Sequence, residues 1–307
     1  MKNKKTGEEA FLKALDFSSS AQSSDRLTAW KILVEAYLFE RDLLLKCKTK
    51  KLNNISTPIA HGDVFVPGYS EFGRVYYLIF EKAEEGDVRN YLSKPSAFEL
   101  RWCFASLHSI AVGIRQLHTN GIAHQDLKPS NVLIMNTENT KISDLGRASD
   151  SVTPSENDNR MVAGDRGYAP IDLWFEEIPI KGFERKFLTD IYLLGSLIYF
   201  FFTGVSAKQA LYSKLTADQR INREMKFNEL LPYLRDAFAL TLEDLRTEIK
   251  KVAPDFVEDL IELVKQLCEP DPSQRGDPKW QRTLTPTYDL QRVISKLNIM
   301  VSTVRRN

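Results

Sequence analysis

His124-Gln125-Asp126-Leu127-Lys128-Pro129-Ser130-Asn131 runs straight into Val132-Leu133-Ile134, and thirteen residues after Asn131 the chain reads Asp144-Leu145-Gly146-Arg147. An acid, a base and an amide thus sit within six residues, followed by an apolar strand, a short hairpin and a second Asp before Gly. Transferring a phosphoryl group from a nucleotide requires positioning and charge cancellation more than covalent chemistry. Asp126 can accept the proton of an attacking hydroxyl, and Lys128 can neutralise the moving phosphoryl group. Asn131 and Asp144 offer hard oxygen ligands suited to Mg²⁺. Pro129 stiffens the loop by fixing φ, and Gly146 permits a sharp turn after the second acid. The bland alternative is a polar hairpin with incidental charges.

The two segments resemble the catalytic loop and metal-binding motif of eukaryotic-type Ser/Thr protein kinases, H-R-D-L-K-P-x-N and D-F-G. The resemblance implies an α+β, protein-kinase-like bilobal fold with a mostly helical C-lobe. Two positions depart from the pattern. Gln125 replaces the Arg that grips a phosphorylated activation loop, which makes the chain "non-RD" and points away from loop phosphorylation as its on-switch. Leu145 replaces the Phe of D-F-G, a change of packing.

A length of 307 residues suits one two-lobed domain or two small ones. The net charge of +1 gives no sign of a nucleic-acid or anionic-membrane partner. Three widely spaced cysteines, Cys47, Cys103 and Cys268, read as free thiols in a reducing compartment. With no apolar h-region after Met1, the expected location is cytoplasmic. The greasiest run, Ile191 to Thr203, is too short to span a bilayer and reads as a buried core helix.

Ala10-Phe11-Leu12-Lys13-Ala14-Leu15 reads as a short strand, and by resemblance Lys13 is the lysine that pairs the α- and β-phosphates. Ser18 to Ser24 reads as a polar loop. Helical spacing of Ile32, Ala36, Phe39, Leu43 and Cys47 predicts a helix from about Thr28 to Cys47. It resembles kinase helix C, with Glu40 as the partner of Lys13 and Glu35 as the rival; the plain reading pairs Glu40 with a base on its own helix. Val75 to Phe80 reads as a strand. Glu81 to Asp87 resembles the hinge, with Phe80 behind the nucleotide pocket, Glu81 and Ala83 supplying backbone contacts, and Asp87 accepting from a ribose hydroxyl. Asp87 reads equally well as the N-cap of a helix over Val88 to Leu92.

Phe98 to Thr119 reads as a long amphipathic helix stopped by Asn120-Gly121. His124 reads as packing, not as a base, and Val132-Leu133-Ile134 as the floor of the adenine pocket. Asp144 to about Ala163 reads as an activation segment with Ser149, Ser151, Thr153 and Ser155 as exposed hydroxyls. Gly164 to Asp172 resembles the closing segment, with Asp165 in place of a Thr that helps anchor Lys128. Asp172 is expected to pair with Arg275 of Asp271-Pro272-Ser273-Gln274-Arg275, since a guanidinium grips a carboxylate in two-pronged fashion. Asp190 is expected to brace the catalytic loop. Lys208 to Lys251 is helical in pattern, Phe256 to Leu267 forms another core helix, and Tyr288 to Val304 a last helix docked on the large lobe.

Only twelve residues precede Lys13, with Gly7 their only glycine, so the Gly-rich phosphate-covering loop of the family is expected to be missing and Thr6 to Ala10 to supply the second strand at most. The small sheet is then incomplete and nucleotide affinity reduced. The expected layout is an N-lobe over 1–81, hinge and C-lobe over 82–282, and a C-terminal helix over 283–307. The resemblance implies transfer of the ATP γ-phosphate to Ser/Thr hydroxyls of protein substrates. Asp126 and Lys128 would be catalytic, Asn131 and Asp144 would hold Mg²⁺ (Mn²⁺ as an alternative ion), and Lys13, Glu40, Glu81, Ala83, Asp87 and Leu133 would bind the nucleotide. The expected partners are ATP and a protein substrate, with no nucleic acid and no membrane. The rivals are a kinase-like scaffold with little or no transfer, which the missing loop favours, and a small-molecule kinase of the aminoglycoside type.

Overall fold

Phe11, Lys13, Leu78 and Phe80 share one face of a small antiparallel sheet, and that face organises the smaller half of the molecule. The structure is a computed structural model describing residues 1–16, 24–67, 73–94, 98–136, 139–178, 180, 182–220, 225–278 and 289–304. The Ser-rich loop read over Ser18 to Ser24 lies almost wholly outside these. Strand β1 (Ala10–Ala14) pairs with β3 (Arg74–Glu81), which pairs with β2 (Pro58–Phe65), giving the order β1-β3-β2. The register sets Phe11 opposite Phe80 and Lys13 opposite Leu78. β3 is rich in Val, Tyr, Ile and Phe, residues that fit a pleated, half-buried surface. Strand β2 has no clear strand signal in the sequence, because its Pro, Gly and Asp hide the alternation. Residues before β1 fold back so that Lys2 bridges Glu9; the second strand expected at Thr6 to Ala10 does not form as such.

Helix α1 (Arg26–Thr49) starts at Asp25, whose carboxylate accepts from Thr28 N at 3.0 Å. It buries Tyr37, Glu40, Leu43, Leu44 and Cys47, a three-to-four spacing that makes one face. It exceeds the predicted span by two residues at each end.

Beyond the hinge, α2 (Val88–Leu92) leads to α3 (Leu100–Thr119), whose core face includes Phe104, Leu107, Ile110, Ala111, Ile114 and Leu117. Gly121, at φ 70°, turns the chain into β4 (Ile122–Ala123). β5 (Val132–Asn136) and β6 (Asn139–Ile142) pair as a hairpin, and β7 (Ser149–Asp150) pairs with β4. Helix α4 (Gly182–Thr203) is buried continuously from Leu188 to Phe201. It is long and apolar enough to cross a membrane, yet 78% of its most apolar window lies inside the protein, as a core helix requires. A Cβ at Gly195 would sit 2.7 Å from Leu267 Cβ, so glycine sets the close approach of α4 to α7 (Val257–Leu267).

The predicted helical region Lys208 to Lys251 divides into α5 (Ala207–Lys214) and α6 (Phe227–Val252). Tyr288, where the last helix was expected to begin, lies outside the described residues; α8 runs Gln291–Thr303 and packs on α3. The result is the α+β, two-lobed arrangement read from the catalytic stretch: a small sheet with one helix over a mostly helical body.

Candidate active site

The cleft between sheet and helical body, about 580 Å³, is lined among others by Lys13, Glu40, Asp126, Lys128, Asp144 and Arg160. β1 carries Lys13 into it and α1 brings Glu40 to meet it. Lys13 Nζ donates to Glu40 Oε1 at 2.7 Å and Oε2 at 3.0 Å, and to Asp144 Oδ1 at 3.0 Å. Glu40 therefore pairs across the cleft, not along its own helix, while its rival Glu35 pairs locally with Lys31 at 3.6 Å. Burial disfavours the Lys13 charge, but Glu40 and Asp144 outweigh it and its pKa is raised. Two carboxylates share this ammonium. The more buried one, Glu40, is pushed up by its burial. Asp144 is held low, because Lys13 and the Gly146 N–H outweigh its own burial.

The catalytic loop hangs from Asp190 of α4. Asp190 Oδ1 accepts from Gln125 N at 2.7 Å, and Oδ2 accepts from His124 N at 2.8 Å and His118 Nε2 at 2.9 Å. This brace holds Gln125 at φ 62°, in the left-handed region where few side chains rest. His124 is fully buried; its Nε2 donates to Ser143 O at 3.0 Å and its Nδ1 accepts from Asp126 N at 3.2 Å. Both ring nitrogens are spent on the loop, as the packing reading expects.

Asp126 is fixed from three sides. Asp165 N donates to its Oδ1 at 2.7 Å, Asn131 Nδ2 donates to its Oδ2 at 3.1 Å, and Lys128 Nζ lies 3.1 Å from Oδ2. Lys128 also reaches Asp165 Oδ2 at 3.3 Å. The residue standing in place of the family's Thr therefore anchors the lysine with a full charge. Burial opposes the Lys128 charge, but Asp126 and Asp165 prevail and raise its pKa. Gly164 makes this approach possible, since a Cβ there would lie 2.9 Å from Asp126 Cα.

A metal fits this donor set. The Asn131 amide nitrogen is spent on Asp126, with a second bond to Asp126 O at 2.8 Å, which leaves Oδ1 as its ligand atom. Asp144 sits at φ 63°, a strained backbone that aims its carboxylate into the cleft. Among the described residues no cluster of three or more His, Cys, Asp or Glu side chains could cage an ion alone. One amide and one carboxylate, completed by phosphate oxygens and water, is how Mg²⁺ is commonly held.

At the hinge, Phe80 is buried, and Leu133 is half-buried between fully buried Val132 and Ile134. Glu81 turns its side chain to Lys141, and Ala83 O accepts from Gly86 N at 3.3 Å. Asp87 caps α2, accepting from Asn90 N at 2.9 Å and Asn90 Nδ2 at 2.6 Å. Of its two readings, the cap is the one seen in the geometry.

The activation segment differs from expectation at Ser149, read as exposed but fully buried. Its hydroxyl donates to Asp158 Oδ1 at 2.6 Å and accepts from Gln125 Nε2 at 2.9 Å and Lys186 Nζ at 3.1 Å, filling one donor and two acceptor positions. Lys186 also pairs directly with Asp158, and Ser155 N donates to Asp158 Oδ2 at 2.7 Å. Ser155 is half-buried, while Ser151 and Thr153 are exposed as read. Lys46 of α1 pairs with Asp150 at 2.9 Å. Sequence reasoning missed Lys186 and Asp158. A signal existed: Lys186 lies four residues before Asp190, on the helix face that meets the catalytic loop. The closing pair forms, but through one contact and not the two-pronged grip expected: Arg275 Nη2 lies 2.6 Å from Asp172 Oδ1, both side chains are 1% exposed, and the remaining Arg275 donors go to the carbonyls of Leu188, Glu269 and Pro270.

A lysine–glutamate pair, a braced Asp–Lys–Asn loop and an acid entering the cleft, between a small sheet and a helical body, define a phosphotransferase of the kinase class. The family model described as "Protein kinase domain" matches residues 1–284, and the chain belongs to that family. It is 26% identical over 184 residues to an Aurora kinase of Debaryomyces hansenii, covering 60% of this chain and 43% of that protein. It is 34% identical over 139 residues to the serine/threonine-protein kinase PLK4 of Xenopus laevis, covering 44% and 14%. It is 26% identical over 205 residues to serine/threonine-protein kinase Aurora-2 of Arabidopsis thaliana, covering 66% and 68%. The chain thus spans less than half the length of the first two of these relatives.

Proposed function

We propose that the protein transfers the γ-phosphate of Mg-ATP to Ser or Thr hydroxyls of protein substrates in the cytoplasm. The carrying observation is the bond of Lys13 to Glu40 at 2.7 Å and to Asp144 at 3.0 Å, because it couples the sheet, helix α1 and the second acid in one arrangement. A scaffold has no requirement for that geometry together with an oriented Asp126. Closure of the activation segment through Asp172 and Arg275 favours a protein acceptor over a small molecule. The three cysteines are free and buried, which is compatible with a reducing compartment.

Asp126 would orient the acceptor hydroxyl and take its proton as the hydroxyl oxygen bonds to the γ-phosphorus and the bond to the bridging oxygen breaks, releasing ADP. Lys128, held between Asp126 and Asp165, would neutralise charge on the transferring group. Lys13 would hold the α- and β-phosphates, exchanging part of its contact with Asp144 for them. Asn131 Oδ1 and Asp144 would hold Mg²⁺, which supplies charge cancellation across the phosphates when bound.

The test is transfer of labelled γ-phosphate to the protein itself and to a generic protein acceptor, beside Asp126→Ala. Transfer that disappears in the variant supports the reading. Equal transfer by the variant, or none by folded wild-type protein, overturns it.

A further inference from the structure

A groove of about 1170 Å³, larger than the catalytic cleft, opens between the closing segment and α5. Arg166, Trp174, Lys208, Tyr212 and Arg220 are among the residues on its walls, and none of the residues assigned to phosphate transfer lines it. It nevertheless lies beside them. Asp165 N donates to Asp126 Oδ1 at 2.7 Å, and the groove wall begins at the next residue, Arg166. An extended chain advances about 3.3–3.6 Å per residue. A polypeptide whose hydroxyl meets Asp126 therefore passes this groove within a few residues.

The charge of the groove is fixed in place. Ser206, the N-cap of α5, donates to Gly167 O at 3.1 Å, and Lys208 donates to Arg166 O, so α5 is pinned to the closing segment. The Lys208 ammonium rests 3.8 Å from the centroid of the Trp174 ring, and the Arg220 guanidinium 5.6 Å from that of Tyr212. Aromatic faces hold a cation without neutralising it. Among the described residues, Arg166, Lys208 and Arg220 have no ion-pair partner. Burial pulls the Lys208 pKa down to about 8, against the raising effect of Asp165 and with the help of Arg166. Two acids line the groove as well. Glu177 Oε1 is spent on Phe227 N at 2.8 Å, at the start of α6, and Glu176 is shared with the neighbouring recess that holds Arg185. Positive charge prevails.

Resting on the phosphotransfer reading, we infer that this groove selects protein substrates carrying an acidic side chain within a few residues of the accepting hydroxyl, with Lys208 and Arg166 as the specificity-determining residues. An anion entering the groove gives Lys208 the counter-charge that its surroundings lack, through charge-assisted hydrogen bonds. A basic side chain there meets unpaired like charges and is rejected. A carboxylate and a phosphate share this chemistry, and the test separates them.

The experiment is phosphorylation by the full chain, with Mg-ATP, of Ser-centred peptides bearing Glu, Lys or phosphoserine at each flanking position in turn. Wild type is compared with Lys208→Met, Lys208→Glu and Arg166→Glu. The readout is the ratio of kcat/KM for the Glu and Lys peptides within each variant, which cancels any general loss of active enzyme. One charge-assisted contact corresponds to about tenfold. Wild type should therefore prefer Glu by about tenfold or more at a position near the acceptor. Lys208→Met should lower that ratio, and the two Glu variants should bring it to unity or invert it. Phosphoserine better than Glu at that position assigns the groove to phosphorylated substrates, and the reverse assigns it to carboxylates; either upholds the inference. Peptides phosphorylated without preference for Glu over Lys overturn the inference alone, as does a preference that stays the same in every variant. A folded wild-type protein that phosphorylates none of the peptides overturns the phosphotransfer reading and this inference with it.

Discussion

Replacing Lys186 by Met should release the activation segment while leaving the rest of the fold in place. Lys186 and Asp158 are 15% and 25% exposed, so their pairing is only partly screened by water. Methionine keeps most of the side-chain bulk and removes the charge. Asp158 then keeps Ser149 Oγ and Ser155 N as donors but loses its cation. Ser149 loses one of its two incoming bonds. Breaking a charge-assisted bond at a largely buried group costs about 1–3 kcal/mol, and a difference of that size moves the ratio of docked to released segment by roughly 5- to 150-fold. The readout is hydrogen exchange at Ser155 N, which donates to Asp158 and reports the docked state directly. Its exchange should quicken by that factor, and phosphate transfer should fall with it. Phosphatase treatment of the wild-type protein should change neither, because the segment is held by a carboxylate and Gln125 carries no charge to grip a phosphate. Unchanged exchange at Ser155 in Lys186→Met would refute the idea that this ion pair docks the segment.

Three further outcomes follow from the same geometry. Arg275→Ala leaves Asp172 charged and buried, so unfolding free energy should drop by about 3–5 kcal/mol in a denaturant titration, with about half regained in Arg275→Met/Asp172→Leu. Asp165→Ala removes one of the two carboxylates on Lys128 and should lower kcat about tenfold, equivalent to one charge-assisted bond, with Asp165→Thr largely restoring it; full activity in the Ala variant would dismiss Asp165 as an anchor. Stability against pH should follow the carboxylates. The pKa values of Asp144 and Asp158 are depressed in the folded state, so their contribution is present above about pH 4, the unfolded value, and is lost as pH falls through the folded ones. Lys13 is raised, so its contribution persists until pH exceeds about 10. Melting temperatures from pH 3 to 7 should therefore decline at the acid end, and the decline should be shallower in Lys13→Met, where Asp144 loses the cation that holds its pKa down against burial.

The catalytic loop was legible because its chemistry is local. Asp126, Lys128 and Asn131 lie within six residues, and the bonds among them are made by side chains close in sequence. The same holds for Asp87, where a cap could be read from the next three residues. Legibility failed where partners are distant and polar. Ser149 sits in a run of Ser, Asp and Asn that looks solvated, yet its bonds come from residues 24 positions before it, 9 after and 37 after. Composition says that such groups need partners; it does not say whether water or protein supplies them. That misreading has a physical origin: burial is decided by what packs against a segment from elsewhere in the chain, and the pattern of a single polar loop carries no information about it.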